Sequence, residues 1–282
     1  MDINDTTDTF LAELKKDFPK YKNLETSQYS LTQKKHAIRS LMNIRMPKTV
    51  SGELLDLQDA YLQEDLAQKG IVSLSTIPTI KEQLASKSPF SDKISLWQGD
   101  ITKIQAGAIV NAANSQLLGC FIPCHKCIDN AIHSAAGMQL RAECNHIMNK
   151  RRSRYGRKYE EPTGTATLTN AYNLPCDYVI HTVGPIVYDR FNASHCKELQ
   201  NCYKNVLKCC VENKINSVAF CCISTGEFHF PNEKAAEIAW NTVATFLEAQ
   251  GSCIERIIFN VFTDNDRKIY EKILGTNRME RT

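Results

Sequence analysis

Four side chains that can ligate a metal ion lie between positions 120 and 127. They are Cys120, Cys124, His125 and Cys127, in a loop that also contains Pro123. Thiolate sulfur and imidazole nitrogen are the ligands that Zn²⁺ prefers. The pattern therefore predicts a metal site. It leaves three alternatives open: a catalytic zinc, a purely structural zinc, or a redox pair formed by Cys124 and Cys127.

A second loop carries small residues between an apolar strand pattern and a helix pattern. It is Ile223-Ser-Thr-Gly-Glu-Phe-His-Phe-Pro231, with Gly226 at its centre. Small residues let a backbone approach a ligand, and free backbone amides can bind phosphate oxygens. Phe228 or Phe230 would then pack on a sugar or a base. The alternative, a simple strand-to-helix turn, fits the sequence equally well.

Two aspartates lie at the ends of predicted secondary-structure elements. Asp100 follows a strand pattern, where it either accepts a hydrogen bond from an exocyclic amine or caps the following turn. Asp129 stands at the start of a helix pattern, where it is either the N-cap or a group with a role at a site. His181, inside an apolar strand pattern, is expected to be structural.

The composition limits the class of protein. The chain has 282 residues, a formal net charge of +3 and 12 cysteines. A nearly balanced charge gives no support to nucleic acid or an anionic membrane as a partner, and no apolar run is long enough to span a bilayer. The first residues are acidic and polar, unlike a signal peptide. We therefore expect a cytoplasmic protein whose cysteines are mostly free core thiols.

Helical patterns alone fill residues 1–88, whereas strand and helix patterns alternate from Ser91 onward. The predicted strands are Ile94–Gln98, Ala108–Ala112, Gly164–Thr169, Tyr178–Thr182, Ser217–Ile223 and Arg256–Val261. The predicted helices are Asn130–Asn149, His195–Glu212, Glu233–Ala249 and Asp266–Leu274. Strands that are apolar on both faces predict an α/β sandwich with a mostly parallel or mixed central sheet. Ligands in such folds bind beyond the carboxyl ends of the strands.

Five segments, in this order, resemble the macrodomain family. They are Gln98–Thr102, Val110–Asn114, Asp129–Gly137, Tyr178–Pro185 and Ile223–Pro231. The resemblance implies a three-layer α/β/α fold with a mixed central sheet, and the binding of ADP-ribose. It also implies three parts of the chain: an N-terminal helical extension at 1–88, a zinc-containing macrodomain at 89–275 and a C-terminal tail at 276–282.

The loop at residues 119–127 resembles that of the zinc-containing branch of this family, microbial protein-ADP-ribose hydrolases with an N-terminal helical extension. In that branch the zinc ligands correspond to Cys120, His125 and Cys127. We expect one zinc ion per chain on these three residues, with Cys124 as a bystander. A catalytic zinc needs an open coordination position, which a fourth protein ligand would close.

The resemblance also implies roles for the remaining residues. Asp100 would bind the adenine amine, the loop around Gly226 would wrap the diphosphate, and Asn114 would hold the distal ribose. Asn114 and Asp129 are the expected catalytic residues, which orient the sugar and the nucleophile. The residues expected to contact ADP-ribose are Asp100, Ile101, Asn111, Asn114, Ser224, Thr225, Gly226, Glu227 and Phe228.

These expectations define a zinc-dependent protein-ADP-ribose hydrolase that removes mono-ADP-ribose from modified proteins. Two other functions fit the same residues: a reader module that binds ADP-ribose without hydrolysing it, and a hydrolase of O-acetyl-ADP-ribose. The expected partners are ADP-ribose and a mono-ADP-ribosylated protein, without nucleic acid or membrane. We expect a monomer.

Overall fold

The computed structural model describes residues 3–250 and 253–275, so the predicted tail at 276–282 lies outside the described residues. In this part of the chain the helices are α1 (Ile3–Lys15), α2 (Leu31–Ile44), α3 (Gly52–Lys69), α4 (Ile80–Leu84), α5 (Ile128–Ala136), α6 (Met138–Tyr155), α7 (Ala193–Glu212), α8 (Asn232–Gln250) and α9 (Asp264–Gly275). The strands are β1 (Val72–Ser73), β2 (Ile94–Gln98), β3 (Ile104–Gln105), β4 (Ala108–Ala113), β5 (Thr167–Asn170), β6 (Tyr178–Val183), β7 (Ser217–Phe220) and β8 (Arg256–Val261).

Two compact units make up the described part of the chain. The first unit comprises the described residues of Met1–Ile71, Leu117–Tyr159 and Ala171–Leu174. The second comprises those of Val72–Gln116, Glu160–Asn170 and Pro175–Thr282. The first unit therefore holds helices α1, α2, α3, α5 and α6, and the second holds every strand. None of the helices in the described ranges is long and apolar enough to cross a bilayer.

The first unit has an apolar core of its own. The ring of Phe10 in α1 lies 5.4 Å from the ring of Tyr61 in α3, and Met138 at the start of α6 is buried in the same cluster. Ser30 and Ser51 are the N-caps of α2 and α3, because their hydroxyl oxygens accept hydrogen bonds from the backbone of the first turn. The N-terminal helices thus share their core with the beginning of α6.

A single helix over Asn130–Asn149 was predicted, and this prediction is wrong. Helix α5 ends at Ala136 and α6 begins at Met138, with Gly137 between them in a left-handed conformation, φ 97°. A Cβ atom on Gly137 would lie 2.6 Å from Nε2 of Gln58. The break therefore requires glycine for both its backbone angle and this close approach.

A six-stranded sheet forms the centre of the second unit, and the predicted mixed central sheet is confirmed. Its strand order is β2-β8-β7-β4-β6-β5. Neighbouring strands run parallel except for β5, which is antiparallel to β6. Helices α4, α7 and α9 contact strands of this sheet, and α8 packs between α7 and α9. The resulting α/β architecture places the carboxyl ends of five parallel strands at one edge.

The strand predictions differ from the structure mainly at the ends. Strands β2 and β8 have the predicted bounds, whereas β7 ends at Phe220 instead of Ile223. Strand β5 begins at Thr167 instead of Gly164. The region 1–88 was predicted to be entirely helical, but β1 lies within it as a two-residue strand parallel to β3. Neither partner is long enough to show an alternating pattern in the sequence.

Candidate functional site

The three predicted zinc ligands come together in the first unit. The Sγ atoms of Cys120 and Cys127 and a ring nitrogen of His125 lie within 4.8 Å of one another. Cys120 Sγ is 3.6 Å from His125 Nδ1. Two ligand atoms on a tetrahedral zinc with ordinary Zn–S and Zn–N bonds would be about 3.5 Å apart. The donor types and their spacing therefore fit a zinc ion. We call residues 119–127 the metal loop.

Cys124 lies in the metal loop but does not belong to this group of donors. Its Sγ atom is 3.2 Å from Oγ of Ser40 and 3.5 Å from the carbonyl oxygen of His36, both in α2. Its backbone is left-handed, with φ 51°. The turn at Cys124 therefore directs this thiol to α2, and the group of possible metal ligands has three members.

The end of the metal loop is also the start of α5. Cys127 is the N-cap of this helix, and its Sγ atom accepts a hydrogen bond from the backbone N–H of Asn130 at 3.4 Å. Burial raises the pKa of Cys127 to about 12, against the opposing effect of that N–H. A bound cation acts in the other direction, because a coordinated thiol is deprotonated.

Asp129 is not the N-cap of α5, which corrects one of its two predicted roles. It is the second residue of the helix and is buried, with its Oδ1 atom 3.5 Å from Nε2 of His133. The helix begins at Ile128 because Cys127 supplies the cap. A carboxylate in the first turn still interacts favourably with the helix dipole. Its predicted role in orienting a water or a hydroxyl stays a prediction.

The other predicted site residues belong to the second unit, at the edge where its parallel strands end. Asp100 follows β2, Asn114 follows β4 and the loop at residues 223–231 follows β7. Because β2, β8, β7, β4 and β6 are parallel, their carboxyl ends lie at the same edge. This is the edge at which α/β proteins bind ligands.

Main-chain hydrogen bonds hold the loop at residues 223–231, which we call the Gly226 loop. The N–H of Phe230 donates to the carbonyl of Ser224 at 3.0 Å, and the N–H of His229 donates to that of Gly226 at 3.0 Å. Gly226 is exposed, and a Cβ atom there would have no neighbour within 4 Å. Phe230 is buried whereas Phe228 is half-buried, so only Phe228 retains a surface for a ligand.

A second glycine supports the Gly226 loop from the end of β6. A Cβ atom on Gly184 would lie 2.0 Å from Oγ of Ser224 and 2.9 Å from Cγ2 of Ile223. Ser224 is buried and left-handed, with φ 66°. Glycine at position 184 thus allows the chain after β6 to lie directly against the beginning of the loop. The Thr-Val-Gly-Pro185 motif and the Ser-Thr-Gly-Glu motif are parts of one packed structure.

Asp100 performs the capping role that its position predicted. Its Oδ1 atom accepts hydrogen bonds from the backbone N–H of Thr102 at 3.0 Å and from the Thr102 hydroxyl at 2.6 Å. These bonds begin a short 3₁₀ helix at Ile101, whose side chain is buried. The cap uses one carboxylate oxygen and fixes the orientation of the group. Its predicted contact with adenine stays a prediction.

The two predicted asparagines differ in exposure. Asn111 is fully buried within β4, and its Nδ2 atom lies 3.1 Å from Nδ1 of His181, whose Nε2 lies 3.0 Å from the Thr169 hydroxyl. Burial lowers the pKa of His181 to about 3, so the ring is neutral and structural, as predicted. Asn114 is half-buried, and its Oδ1 accepts a hydrogen bond from the N–H of Gln116 at 3.0 Å.

Sequence reasoning missed one aromatic residue at this edge of the sheet. Phe262 directly follows β8 and is 75% exposed. The residue before it, Val261, accepts a hydrogen bond from the N–H of Gly99, so Phe262 lies beside the turn that carries Asp100. An aromatic residue immediately after a predicted strand end was the available signal, since a large exposed ring at such an edge is a surface for a base.

Comparisons with known proteins agree with this geometry. The family model described as the Macro domain matches residues 110–239. A protein of Treponema medium named protein-ADP-ribose hydrolase is 45% identical over 243 residues, which cover 86% of this chain and 88% of that protein.

The chain belongs to the Macro domain family.

Two further comparisons concern this macrodomain chain. A protein-ADP-ribose hydrolase of Staphylococcus aureus is 44% identical over 83% of this chain and 82% of its own length. The crystal structure of a Trypanosoma brucei macrodomain in complex with ADP-ribose superimposes with a TM-score of 0.62, at 28% identity, over 81% of this chain and 92% of that one. The predicted family and α/β macrodomain fold are thus confirmed, whereas membership of the zinc-containing branch stays a prediction.

Proposed function

We propose that this macrodomain is a zinc-dependent protein-ADP-ribose hydrolase that removes mono-ADP-ribose from modified proteins. The observation that carries the proposal is the group of three possible ligands, Cys120, His125 and Cys127. The Cys124 thiol is outside this group, because it contacts Ser40 of α2. The names of the relatives confirm the coarser prediction that the chain is a hydrolase. A reader module would have no evident use for a metal group with an open position.

The metal loop would hold the zinc ion through Cys120, His125 and Cys127. Held by these three residues, the ion would supply Lewis-acid chemistry at the site. The chain contributes a donor set that is already close to ligating geometry. It also contributes the turn at Cys124, which keeps the third sulfur of the loop away from the other three donors.

The strand ends of the second unit would bind the ADP-ribose group. We assign the diphosphate to the backbone amides of the Gly226 loop, where the exposed glycine permits close approach. Asp100 would accept a hydrogen bond from the adenine amine, with the backbone of Ile101 beside it, and the exposed ring of Phe262 would stack on the base. These contacts lie far from the bond that breaks, and their binding energy would help to orient the substrate for the reaction.

The residues proposed to act on the sugar are Asn114 and Asp129. Asn114 follows β4, is half-buried and is fixed by its own turn, so its amide is ordered before substrate arrives. Asp129 is buried in the first turn of α5, where a carboxylate can accept a proton or orient a hydroxyl. Asn111 supports β4 through His181, and its proposed contact with ADP-ribose is the weaker of the two asparagine assignments.

The proposed partners are ADP-ribose and a mono-ADP-ribosylated protein, with the enzyme acting as a monomer in the cytoplasm. None of the 12 cysteines, all of which lie in the described residues, forms a disulfide, and many of them are buried. Free thiols are typical of a reducing compartment. This observation supports the cytoplasmic assignment.

The test of the proposed function replaces Cys127 with alanine in the full chain. We expect zinc content to fall to background and release of ADP-ribose from a modified protein to fall at least about 100-fold, because the metal contributes several kcal/mol to transition-state stabilisation. Zinc is measured by mass spectrometry, and ADP-ribose release by chromatography. The matched control is Cys253→Ala, which removes an exposed thiol outside the metal loop.

Two results would decide against this proposal. Full turnover by Cys127→Ala without zinc would exclude a catalytic role of the metal. Turnover of O-acetyl-ADP-ribose without release from any modified protein would move the assignment to the small ester. Retained ADP-ribose binding in the variant, measured by calorimetry, shows that the second unit is intact.

A further inference from the structure

We propose that α2 of the N-terminal extension is the element that positions the zinc ligands, with Arg39 and Asn43 as positioning residues and Cys124 as the anchor of the metal loop. This inference rests on the proposed zinc site. It assigns a role to the N-terminal helices, which carry no motif of their own. The contacts that support it all lie within the first unit.

The guanidinium of Arg39 connects α2 to one proposed ligand, His125, and to Asn130, which hydrogen-bonds another. Its Nε and Nη2 atoms donate to Oδ1 of Asn130 at 3.1 and 2.8 Å, and Nη2 also donates to the carbonyl of His125 at 3.3 Å. Asn130 in turn donates from Nδ2 to the carbonyl of Ile122 and from its backbone N–H to Cys127 Sγ. Arg39 therefore fixes the main chain of His125. It also fixes Asn130, whose N–H donates to the sulfur of Cys127.

The side chain of Asn43 holds the turn between the ligands. Its Oδ1 atom accepts a hydrogen bond from the N–H of Cys124 at 2.9 Å, and its Nδ2 donates to Oγ of Ser134 in α5 at 2.9 Å. Asn43 is 1% exposed, so both bonds form away from water. Cys124 has a left-handed backbone, which costs a non-glycine residue energy unless its surroundings fix it. Asn43 supplies that fixation.

The thiol of Cys124 makes the third connection. It contacts the Ser40 hydroxyl and the carbonyl of His36, both on α2. With its sulfur on α2, Cys124 fastens the loop to the helix and stays out of the ligand set. The sequence analysis expected Cys124 to be a bystander and not a fourth ligand. Its contacts with α2 add a role as the anchor of the loop.

Residues that orient metal ligands change metal affinity by about 10- to 100-fold when they are removed. A loss of metal affinity from this cause is expected only for side chains that contact the metal loop. A general loss of helix packing would follow from substitutions elsewhere on α2 as well. Helix α2 offers a matched control for this distinction. Lys35 lies one turn before Arg39 and forms an ion pair with Asp65 at 2.7 Å, without contact to the metal loop among the bonds described.

The experiment measures the zinc dissociation constant of full-length variants by competition with a chromophoric chelator. We expect Arg39→Ala to bind zinc about 10- to 100-fold more weakly than the parent chain, and Lys35→Ala to bind it as the parent does. Arg39→Lys should recover only part of the loss, because an ammonium group cannot reproduce the planar fork of the guanidinium. Circular dichroism confirms that the helices remain folded. Equal affinities for Arg39→Ala and Lys35→Ala would overturn the inference.

A cobalt measurement tests the role of Cys124 separately. Co²⁺ replaces zinc, and its thiolate charge-transfer absorption reports the number of sulfur ligands. We expect Cys124→Ala to bind Co²⁺ more weakly but to keep the full intensity of the parent at saturation, which corresponds to two thiolates. A loss of about one third of that intensity would show that Cys124 is a ligand and would overturn its assignment as the anchor.

The two proposals fail in different ways. If the parent chain binds neither zinc nor cobalt, the proposed zinc site and this inference both fall. If the parent chain binds zinc and every α2 variant binds it equally well, only this inference falls, and the proposed function stands.

Discussion

The metal loop and the Gly226 loop are held in place by different means. In the first unit, side chains of α2 hold the metal loop from outside: Arg39 and Asn43 donate to or accept from its main chain. In the second unit, the Gly226 loop is held by its own main-chain hydrogen bonds and by the close approach of Gly184. The metal loop therefore depends on a distant segment of sequence, whereas the Gly226 loop carries most of its determinants within itself.

This difference has a consequence for mutation. Substitutions in α2 should change metal binding while leaving ADP-ribose binding intact. Substitutions in the Gly226 loop should do the reverse. A substitution that disturbed both in equal measure would show that the two loops are not independent.

The largest effect in the second unit is expected for Gly226→Ala. The free protein accommodates the new methyl group, because nothing lies within 4 Å of the Cβ position. A bound diphosphate would occupy that space, and a clash of this kind costs about 1–3 kcal/mol, which corresponds to a loss of roughly 5- to 150-fold in affinity. Calorimetry with ADP-ribose measures the loss, while zinc content should stay unchanged.

The control for this variant is Gly52→Ala at the start of α3, where a Cβ atom also has open space. It should alter neither ADP-ribose affinity nor zinc content. If Gly226→Ala bound ADP-ribose as tightly as Gly52→Ala, the Gly226 loop would be a simple strand-to-helix turn.

A smaller loss is expected for Phe262→Ala. The ring is 75% exposed at the carboxyl edge of the sheet, so its removal should not destabilise the fold. Stacking of a base on an aromatic ring contributes about 1–3 kcal/mol, and partial exposure places this residue at the lower end, near a 5-fold loss of affinity. Phe262→Tyr is the matched control and should bind as the parent does. Equal affinity of the alanine variant would remove Phe262 from the site.

An effect on stability, with no effect on binding, is expected from His181, which is buried in β6. His181 has a pKa of about 3 in the folded protein, lowered by burial from an ordinary value near 6.5. The unfolded chain binds this proton more readily than the folded chain. The contribution of neutral His181 to the free energy of unfolding is therefore fully present above pH 6.5 and decreases as the pH falls towards 3. His181→Gln should flatten the slope of the free energy of unfolding between pH 6.5 and 4. Urea titrations at several pH values measure it, and an unchanged slope would contradict the assignment.

Local patterns predicted much of the second unit. Strands β2 and β8 were predicted with their observed bounds because each is a short run made mostly of apolar residues. The Gly226 loop was recognisable for a similar reason, since its small residues are contiguous. Pairs of two-residue strands such as β1 and β3 lacked any such pattern, because each forms only in contact with the other.

Contacts between distant segments could not be predicted from the sequence. Nothing near Arg39 or Asn43 indicates that these side chains hold the metal loop, because the two segments lie far apart along the chain. The capping of α5 was also missed: an aspartate ordinarily outranks cysteine as an N-cap, but Cys127 occupies that position and moves Asp129 into the helix. The break at Gly137 was missed because the apolar pattern continues through it.

The central claim is that hydrolysis of ADP-ribosylated protein by this chain requires zinc on the metal loop. The most direct measurement strips the full-length protein with a chelator, follows release of ADP-ribose from a modified protein, and then restores one equivalent of zinc. We predict that release falls at least about 100-fold on stripping and returns with zinc, while ADP-ribose affinity stays constant throughout. Turnover by the stripped protein at the rate of the zinc-loaded protein would contradict the claim.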